Sequence, residues 1–328
     1  MTCALITGVA GQDGSFMSVL LLEQGYEVFG VVRRATSERY ENLDGVRDRV
    51  ELLHADLLDE LSLVRALEIA RPDEVYNLAA PSFVPLSWEQ PVLTAEFAAV
   101  GATALLEAVR LTVPAARVYQ AASSEIFGDP IDAPQNESTP IMHVAPYGAA
   151  KAYSFFIVRS FRRRYGLHAS SGILFNHESP RRPLDFLPRK VAHGAARIAL
   201  GLGLTLTVGD LDALPDWGGP VATSLGRSRR RTQQEEPDDY VIASGETHSV
   251  RELVECAFEH VWLDWREHVE VDESLLRGKA ELHNLVGDAS KARDRLGWER
   301  SVDFTGLVQP ARGGRPRPAE GVSRLGVW

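Results

Sequence analysis

Tyr147 and Lys151 stand four residues apart in the run Tyr-Gly-Ala-Ala-Lys. On a helix that spacing puts both side chains on one face. A tyrosine with a pKa near 10 is a poor base at neutral pH. A neighbouring ammonium favours its phenolate, so the pair reads as a general base with its electrostatic support. The chain has only four lysines, Lys151, Lys190, Lys279 and Lys291, which makes an accidental pairing at this spacing rare. Upstream, the run Ala121-Ala122-Ser123-Ser124-Glu125 adds a hydroxyl and a carboxylate. Ser123 can hydrogen-bond a substrate hydroxyl or keto oxygen. Glu125 implies proton chemistry beyond a simple oxidation. A serine-rich loop can also be no more than a helix cap.

These groups need a partner that accepts hydride, and the amino terminus offers a place for one. An apolar run, Ala4 to Thr7, leads into Gly8, Gly11 and Gly14, spaced G-x-x-G-x-x-G, with Gln12 and Asp13 between the last two. Gly8 permits a tight turn, Gly11 lets backbone approach a pyrophosphate, and Gly14 lets a helix pack closely on the sheet. The helix amino terminus then offers free N–H groups and the positive end of its dipole to phosphates. At the end of the second strand, where NAD sites usually carry a carboxylate, the chain has Arg33 and Arg34. Paired guanidinium groups suit a 2′-phosphate, so the expected cofactor is NADP.

The elements that must hold these residues follow a βαβ rhythm. Strands are expected at Ala4–Thr7, Glu27–Val32, Val50–His54, Glu74–Leu78 and Arg117–Ala121, with helices at Phe16–Gln24, Leu61–Ala70 and Thr94–Leu111 between them. That alternation predicts an α/β protein: a Rossmann-type doubly wound parallel sheet with a smaller, interleaved carboxy-terminal substrate domain. Residues 1–175 are assigned to the NADP-binding domain and 176–308 to the substrate domain. Strands are expected to return to the sheet near 204–208 and 240–243. Residues 218–232 and 309–328 show no period and read as an irregular loop and tail.

Composition narrows the function classes. The 328 residues carry 45 acidic and 35 basic side chains, a net charge of -10, which argues against binding nucleic acid. No run of about 18 uncharged apolar residues is present, so no membrane-spanning helix is expected. Cys3 and Cys256 cannot by themselves build a disulfide framework or a zinc site; no metal is expected, and a reducing cytoplasm fits. The amino terminus lacks the basic and apolar regions of a secretion signal.

Taken together, ITGVAGQDGS (Ile6 to Ser15), RPDEVYNLAA (Arg71 to Ala80), SSEIFG (Ser123 to Gly128), PYGAAKAY (Pro146 to Tyr153) and GILFNHESPRR (Gly172 to Arg182) resemble the extended short-chain dehydrogenase/reductases, and within them the GDP-mannose 4,6-dehydratases. The resemblance implies a GDP-sugar substrate and a homodimer or homotetramer. It implies that Tyr147, helped by Lys151, takes the proton of the sugar O4, that Glu125 takes the C5 proton, and that Ser123 assists loss of water from C6. By the same likeness Asp56 and Leu57 meet the adenine, Leu78, Ala79, Ala80 and Ser82 line the cofactor, and His177 and Arg182 approach it. Ser82, Asn176 and Lys190 become candidate substrate contacts. Some positions depart from the family: Ser123 replaces a usual threonine, Ala80 to Phe83 lacks a usual Gln and His, Leu93 replaces a tyrosine, and Pro215 replaces an arginine before Asp-Trp-Gly. The alternatives are an epimerase, a dehydratase acting on another GDP-sugar such as a heptose, or a non-catalytic cofactor-binding protein. Epimerases share the Tyr/Lys pair and do not need the adjacent glutamate, which favours elimination.

Overall fold

The computed structural model describes residues 1–35, 39–220, 234–275, 285–300 and 302–308. The strands, numbered along the chain, are β1 (Cys3–Thr7), β2 (Glu27–Val32), β3 (Val50–His54), β4 (Glu74–Asn77), β5 (Arg117–Ser123), β6 (Ala169–Leu174), β7 (Asn176–His177), β8 (Leu206–Val208), β9 (Trp217–Gly218), β10 (Asp239–Ile242) and β11 (Val269–Val271). Seven of them form one sheet in the order β3-β2-β1-β4-β5-β6-β10. All its pairings are parallel.

Burial on both sides explains the apolar strands. Alternate residues of β1 divide between two cores: Ala4 and Ile6 pack on one face, Cys3 and Leu5 on the other. This is the expected signature of a sheet covered twice. The first-face core includes helix α1 (Gln12–Glu23), and the second includes α2 (Glu60–Ala70).

The expected helix Thr94–Leu111 is part of a longer continuous run. Helix α3 (Val84–Glu89) precedes α4 (Pro91–Ala95), which passes through a wider π turn at Glu96–Val100 into α5 (Gly101–Thr112). Contrary to the expectation of no such helix, Pro91–Thr112 is long and apolar enough to cross a membrane by length and composition. Half of its apolar window is buried inside the protein, with Leu105, Leu106, Ala108 and Val109 in the second-face core. Helix α6 (Pro146–Tyr165), which carries Tyr147 and Lys151, packs beside it.

The strand expected near 204–208 does not return to the main sheet. It is β8, paired with β11 in a separate two-stranded ribbon. Its burial against α7 (Leu187–Ala199) and α8 (Val250–His260) builds a third core, in which β8's apolar residues find their partners. The strand expected at 240–243 does return, as β10 beside β6. The bidentate Arg162–Asp239 pair ties β10 to α6, with Arg162 Nη2 2.7 Å from Asp239 Oδ1. The short helices α9 (Ser290–Leu296) and α10 (Phe304–Val308) complete the described chain. The expected irregular stretches fall largely outside the described residues: Gly218 to Pro220 of the loop are described, and none of the tail.

Asp216 is the knot of the substrate-side segments. Fully buried, it accepts hydrogen bonds from Ser244 N and Oγ, Gly245 N and Gly287 N. Burial raises its pKa, and these donors pull the other way. Replacing Asp216 by Ala leaves those donors without their acceptor. A loss of roughly 2–4 kcal/mol in unfolding free energy is expected, read as a lower urea midpoint with an unchanged slope.

Candidate active site

In a parallel sheet the carboxyl ends of all strands open on one side, and each expected catalytic segment leaves the sheet there. The turn Gly8–Asp13 follows β1, Arg33 and Arg34 follow β2, Leu78–Ser82 follow β4, Ser124 and Glu125 follow β5, and Asn176 and His177 follow β6.

The first turn is shaped by steric need. Gly8 has φ +70°, and a Cβ there would lie 2.8 Å from Ala79 N. Gly11 N donates to Gly8 O, and α1 begins at Gln12. A Cβ at Gly14 would meet Gly8 O at 2.3 Å, so helix and turn are in contact. Behind the turn, Thr7 Oγ1 accepts from Ala79 N and donates to Asn77 Oδ1.

The first turn of α1 is clasped by the segment after β6. Gln12 Nε2 donates to His177 O, and Ser179 Oγ donates to Gln12 Oε1. His177 Nε2 is 2.7 Å from Asp13 Oδ2, while its Nδ1 meets Phe175 O. Arg181 donates to Ser15 Oγ and lies over the Phe16 ring. Arg182 stacks on Phe186 at 3.5 Å and pairs with the buried Glu178. Burial raises Asp13, but His177 and Arg182 outweigh it and hold the carboxyl below its ordinary range. Burial lowers His177, and Asp13 overcomes it to raise the imidazole. Burial pushes Glu178 up to about 6 against the pull of Arg182.

Asp13 Oδ1 and Arg182 Nε are buried without a hydrogen-bond partner among the described residues. A glycine-lined helix amino terminus, with its unpaired N–H groups and the Arg182 guanidinium close by, fits a dinucleotide's phosphates. Arg33 and Arg34 are both exposed at the β2 exit, with Arg33 over the Phe97 ring at 5.3 Å. Asp56 caps its own turn by accepting from Leu58 N, and Leu57 is buried against Gly101. Leu78, Ala79 and Ala80 are half-buried and Ser82 is exposed.

The expected catalytic residues form a connected group. Ser123 caps a single 3₁₀ turn, Ser124–Ile126, by accepting from Glu125 N. The serine-rich run is thus a cap, and its hydroxyl also hydrogen-bonds Tyr147. Helix α6 starts at Pro146, whose fixed φ suits the first helical position. Gly148 lets that helix touch the 3₁₀ turn, since a Cβ there would sit 2.5 Å from Glu125 O. Lys151 Nζ donates to Ala121 O at 2.8 Å and lies 5.7 Å from the Tyr147 ring centre. Burial pushes Tyr147 up to about 12; the Ser123 hydrogen bond lowers it, and the Glu125 charge raises it. Burial pulls Lys151 down to about 8.

Two further residues were expected as substrate contacts. Asn176 is exposed at the start of β7, and Lys190, on α7, interacts with Asp272. The structure adds residues that the motifs did not single out. Ser179 and Arg181 clasp α1, Glu178 pairs with Arg182, and Asn77 and Gln120 form a buried polar pair between β4 and β5. Their signal was present: a polar side chain inside the apolar runs EVYNL and RVYQA.

The Asp13–His177 pair has a defined pH signature. The raised His177 pKa means its stabilisation is complete below pH 6.5 and is lost as pH rises through the folded value. The lowered Asp13 pKa means its share is complete above pH 3.8 and is lost as pH falls through the folded value. Melting temperature should therefore fall more steeply above pH 6.5 in the wild type than in His177→Gln. Parallel curves from calorimetry would remove the pair from the account.

Residues 5–310 match the family model for GDP-mannose 4,6 dehydratase. The chain is 43% identical to GDP-mannose 4,6 dehydratase 1 of Arabidopsis thaliana, covering 93% of this chain and 87% of that protein. It is 40% identical to the GDP-mannose 4,6 dehydratase of Homo sapiens, covering 93% and 89%. Among solved structures, a dTDP-glucose 4,6-dehydratase from Streptomyces venezuelae superposes with a TM-score of 0.81 at 24% identity, covering 93% and 94%. A UDP-glucose 4-epimerase from Thermus thermophilus superposes with a TM-score of 0.79 at 28% identity, covering 93% and 96%. The Rossmann-like sheet, the glycine turn and the Ser-Glu-Tyr-Lys group therefore have a common explanation: the chain belongs to the GDP-mannose 4,6-dehydratase family.

Proposed function

We propose that the protein dehydrates GDP-mannose to a GDP-4-keto-6-deoxy sugar, with Ser123, Glu125, Tyr147 and Lys151 as its catalytic residues. The observation that carries this reading is the placement of Glu125. Its charge acts on Tyr147, and its backbone touches the start of the Tyr147 helix. An alcohol oxidation needs only Tyr147, Lys151 and Ser123; a second proton acceptor beside them suits an elimination.

Bound NADP+ supplies the acceptor for the C4 hydride and the source of the hydride that later reaches C6. The solved relatives described as bound to NAD support a nicotinamide dinucleotide, and Arg33 and Arg34 favour the 2′-phosphorylated form. Gly8, Gly11, Gln12, Asp13 and Gly14 would hold the phosphates through the backbone N–H groups of the turn and helix start, with His177 and Arg182 close by, while the Asp13 carboxylate pairs with His177. Asp56 and Leu57 take the adenine end, and Leu78 to Ser82 line the path to the sugar.

Tyr147 accepts the O4 proton as C4 becomes a ketone. At about 12 its phenol is protonated when the site stands alone. The base therefore forms only when positive charge is gathered around it, from Lys151 and from the oxidised nicotinamide. Ser123 and Tyr147 then donate to the keto oxygen, which makes C5–H acidic. Glu125 takes the C5 proton, the C6 hydroxyl leaves as water with the help of Ser123 and Glu125, and a proton returns to C5 as hydride reaches C6. One water is lost, and the sugar's oxidation at C4 balances its reduction at C6.

Incubation with GDP-mannose in deuterated water should give a product lighter by one water and carrying deuterium at C5, read by mass spectrometry. An isomer that retains its water would instead mean an epimerase. Glu125→Gln should suppress water loss by about a hundredfold or more while cofactor binding stays intact. Arg33→Ala should narrow the preference for NADP over NAD by about tenfold, read as the ratio of the two dissociation constants; an unchanged ratio would remove Arg33 from cofactor choice.

A further inference from the structure

The register between β4 and β5 ends at Asn77 opposite Gln120, whereas β5 continues to Ser123 with only β6 beside it. The overhanging residues Ala121 to Ser123 carry two parts of the catalytic group: the carbonyl that holds Lys151, and the Ser123 hydroxyl. On the side where β4 has stopped, the overhang has no ladder to fix it.

A buried chain of side chains stands in for that ladder. Thr7 Oγ1 donates to Asn77 Oδ1 at 2.6 Å. Asn77 Nδ2 donates to Gln120 Oε1 at 2.7 Å, and Gln120 Nε2 donates to Ala121 O at 3.1 Å. Lys151 Nζ gives the same carbonyl its second donor, at 2.8 Å. Thr7, Asn77, Gln120 and Lys151 are all buried. The directions agree along the whole chain. Because Thr7 occupies the Asn77 oxygen, Asn77 must present its NH₂ to Gln120, and Gln120 must then present its own NH₂ to the carbonyl. Lysine is the most flexible of these side chains, and Ala121 O is its hydrogen-bond acceptor here.

We propose that Gln120, oriented by Asn77 and Thr7, is a positioning residue that fixes the Ala121 carbonyl and through it the Lys151 ammonium beneath Tyr147. This rests on Tyr147 and Lys151 being the base and its support. It links the strand that ends in the glycine turn to the catalytic helix through three side chains, none of which touches substrate. Removing the Gln120 amide frees the overhang on its β4 side. The carbonyl shifts, the ammonium loses its acceptor, and a buried amine without an acceptor is still less willing to stay charged.

The scarcity of lysine makes this directly measurable. The full chain, labelled with carbon-13 at lysine Cε, has four lysines to follow by NMR, and the Lys151 signal is the one missing from Lys151→Met. In the wild type it should titrate at about 8. In Gln120→Met its midpoint should fall by about half a pH unit or more. With GDP-mannose, kcat should drop by about tenfold or more while the KM for GDP-mannose stays within about twofold. The acid limb of the rate profile should move to higher pH. If Gln120→Met does not fold, the isosteric Thr7→Val unlatches the same chain from its far end and should shift Lys151 in the same direction by less. A folded variant in which the Lys151 midpoint stays in place or rises overturns the proposal. The titration needs no turnover, so an inactive wild type would refute the proposed substrate while leaving the role of Gln120 to be decided by the lysine signal.

Discussion

Where β4 stops at Asn77, β5 runs on for three residues to Ser123. That unequal length creates the site. It leaves a short stretch of strand exposed to the carboxyl edge of the sheet, with the hydroxyl of Ser123 at its end and Glu125 just beyond. It also leaves a carbonyl, Ala121 O, available to a side chain rather than to a neighbouring strand. Helix α6 supplies that side chain, Lys151, and Gly148 allows the helix to lie directly on the Glu125 backbone. A one-residue change in where β4 or β5 ends would separate these groups.

Burial is the second shaping force, and it acts against the charges the chemistry uses. It raises Tyr147 and lowers Lys151, so each group is moved toward its neutral form. In the proposed reaction, such a site gains its basicity only when a cationic partner arrives. The group around α1 follows a different logic. There Glu178 is buried and Asp13, His177 and Arg182 are partly so, and they are arranged as opposing charges. The result is a firm joint between the glycine turn and the segment that follows β6.

The departures from the family pattern find partial explanations in packing. Phe83 meets the Phe186 ring edge-on at 5.5 Å, and Arg182 stacks on the same ring, so the loop after β4 is joined to the entry of α7. An apolar contact thus occupies the segment where a polar residue is usual. Pro215 keeps its carbonyl in use, accepting from His248 N, and the neighbouring Asp216 retains its full set of donors. The Asp-Trp-Gly segment is therefore architectural here: Asp216 ties three loops, and Trp217 packs against Phe304.

The early strands were legible because a doubly covered parallel sheet favours short, mostly apolar runs, and Glu27–Val32 and Val50–His54 have the bounds their sequence implied. The Tyr/Lys pair and the glycine turn were legible because their chemistry depends on local spacing, which a helix or a turn preserves. Strand β6 was missed, since Ala169–Leu174 mixes serines and glycine into a buried strand. The destination of 204–208 was misjudged because an apolar triplet does not say which sheet it will join. Gln120 and Asn77 were visible only as polar residues in apolar strands. What they do depends on where β4 ends relative to β5, on the turn of helix that brings Lys151 to Ala121, and on Thr7 lying next to Asn77. The sequence by itself determined the alternation of elements, the motifs and the kind of chemistry, because each follows from neighbours along the chain. Only the tertiary structure decided which groups meet, because hydrogen bonds between residues 30 to 70 positions apart depend on strand order and register.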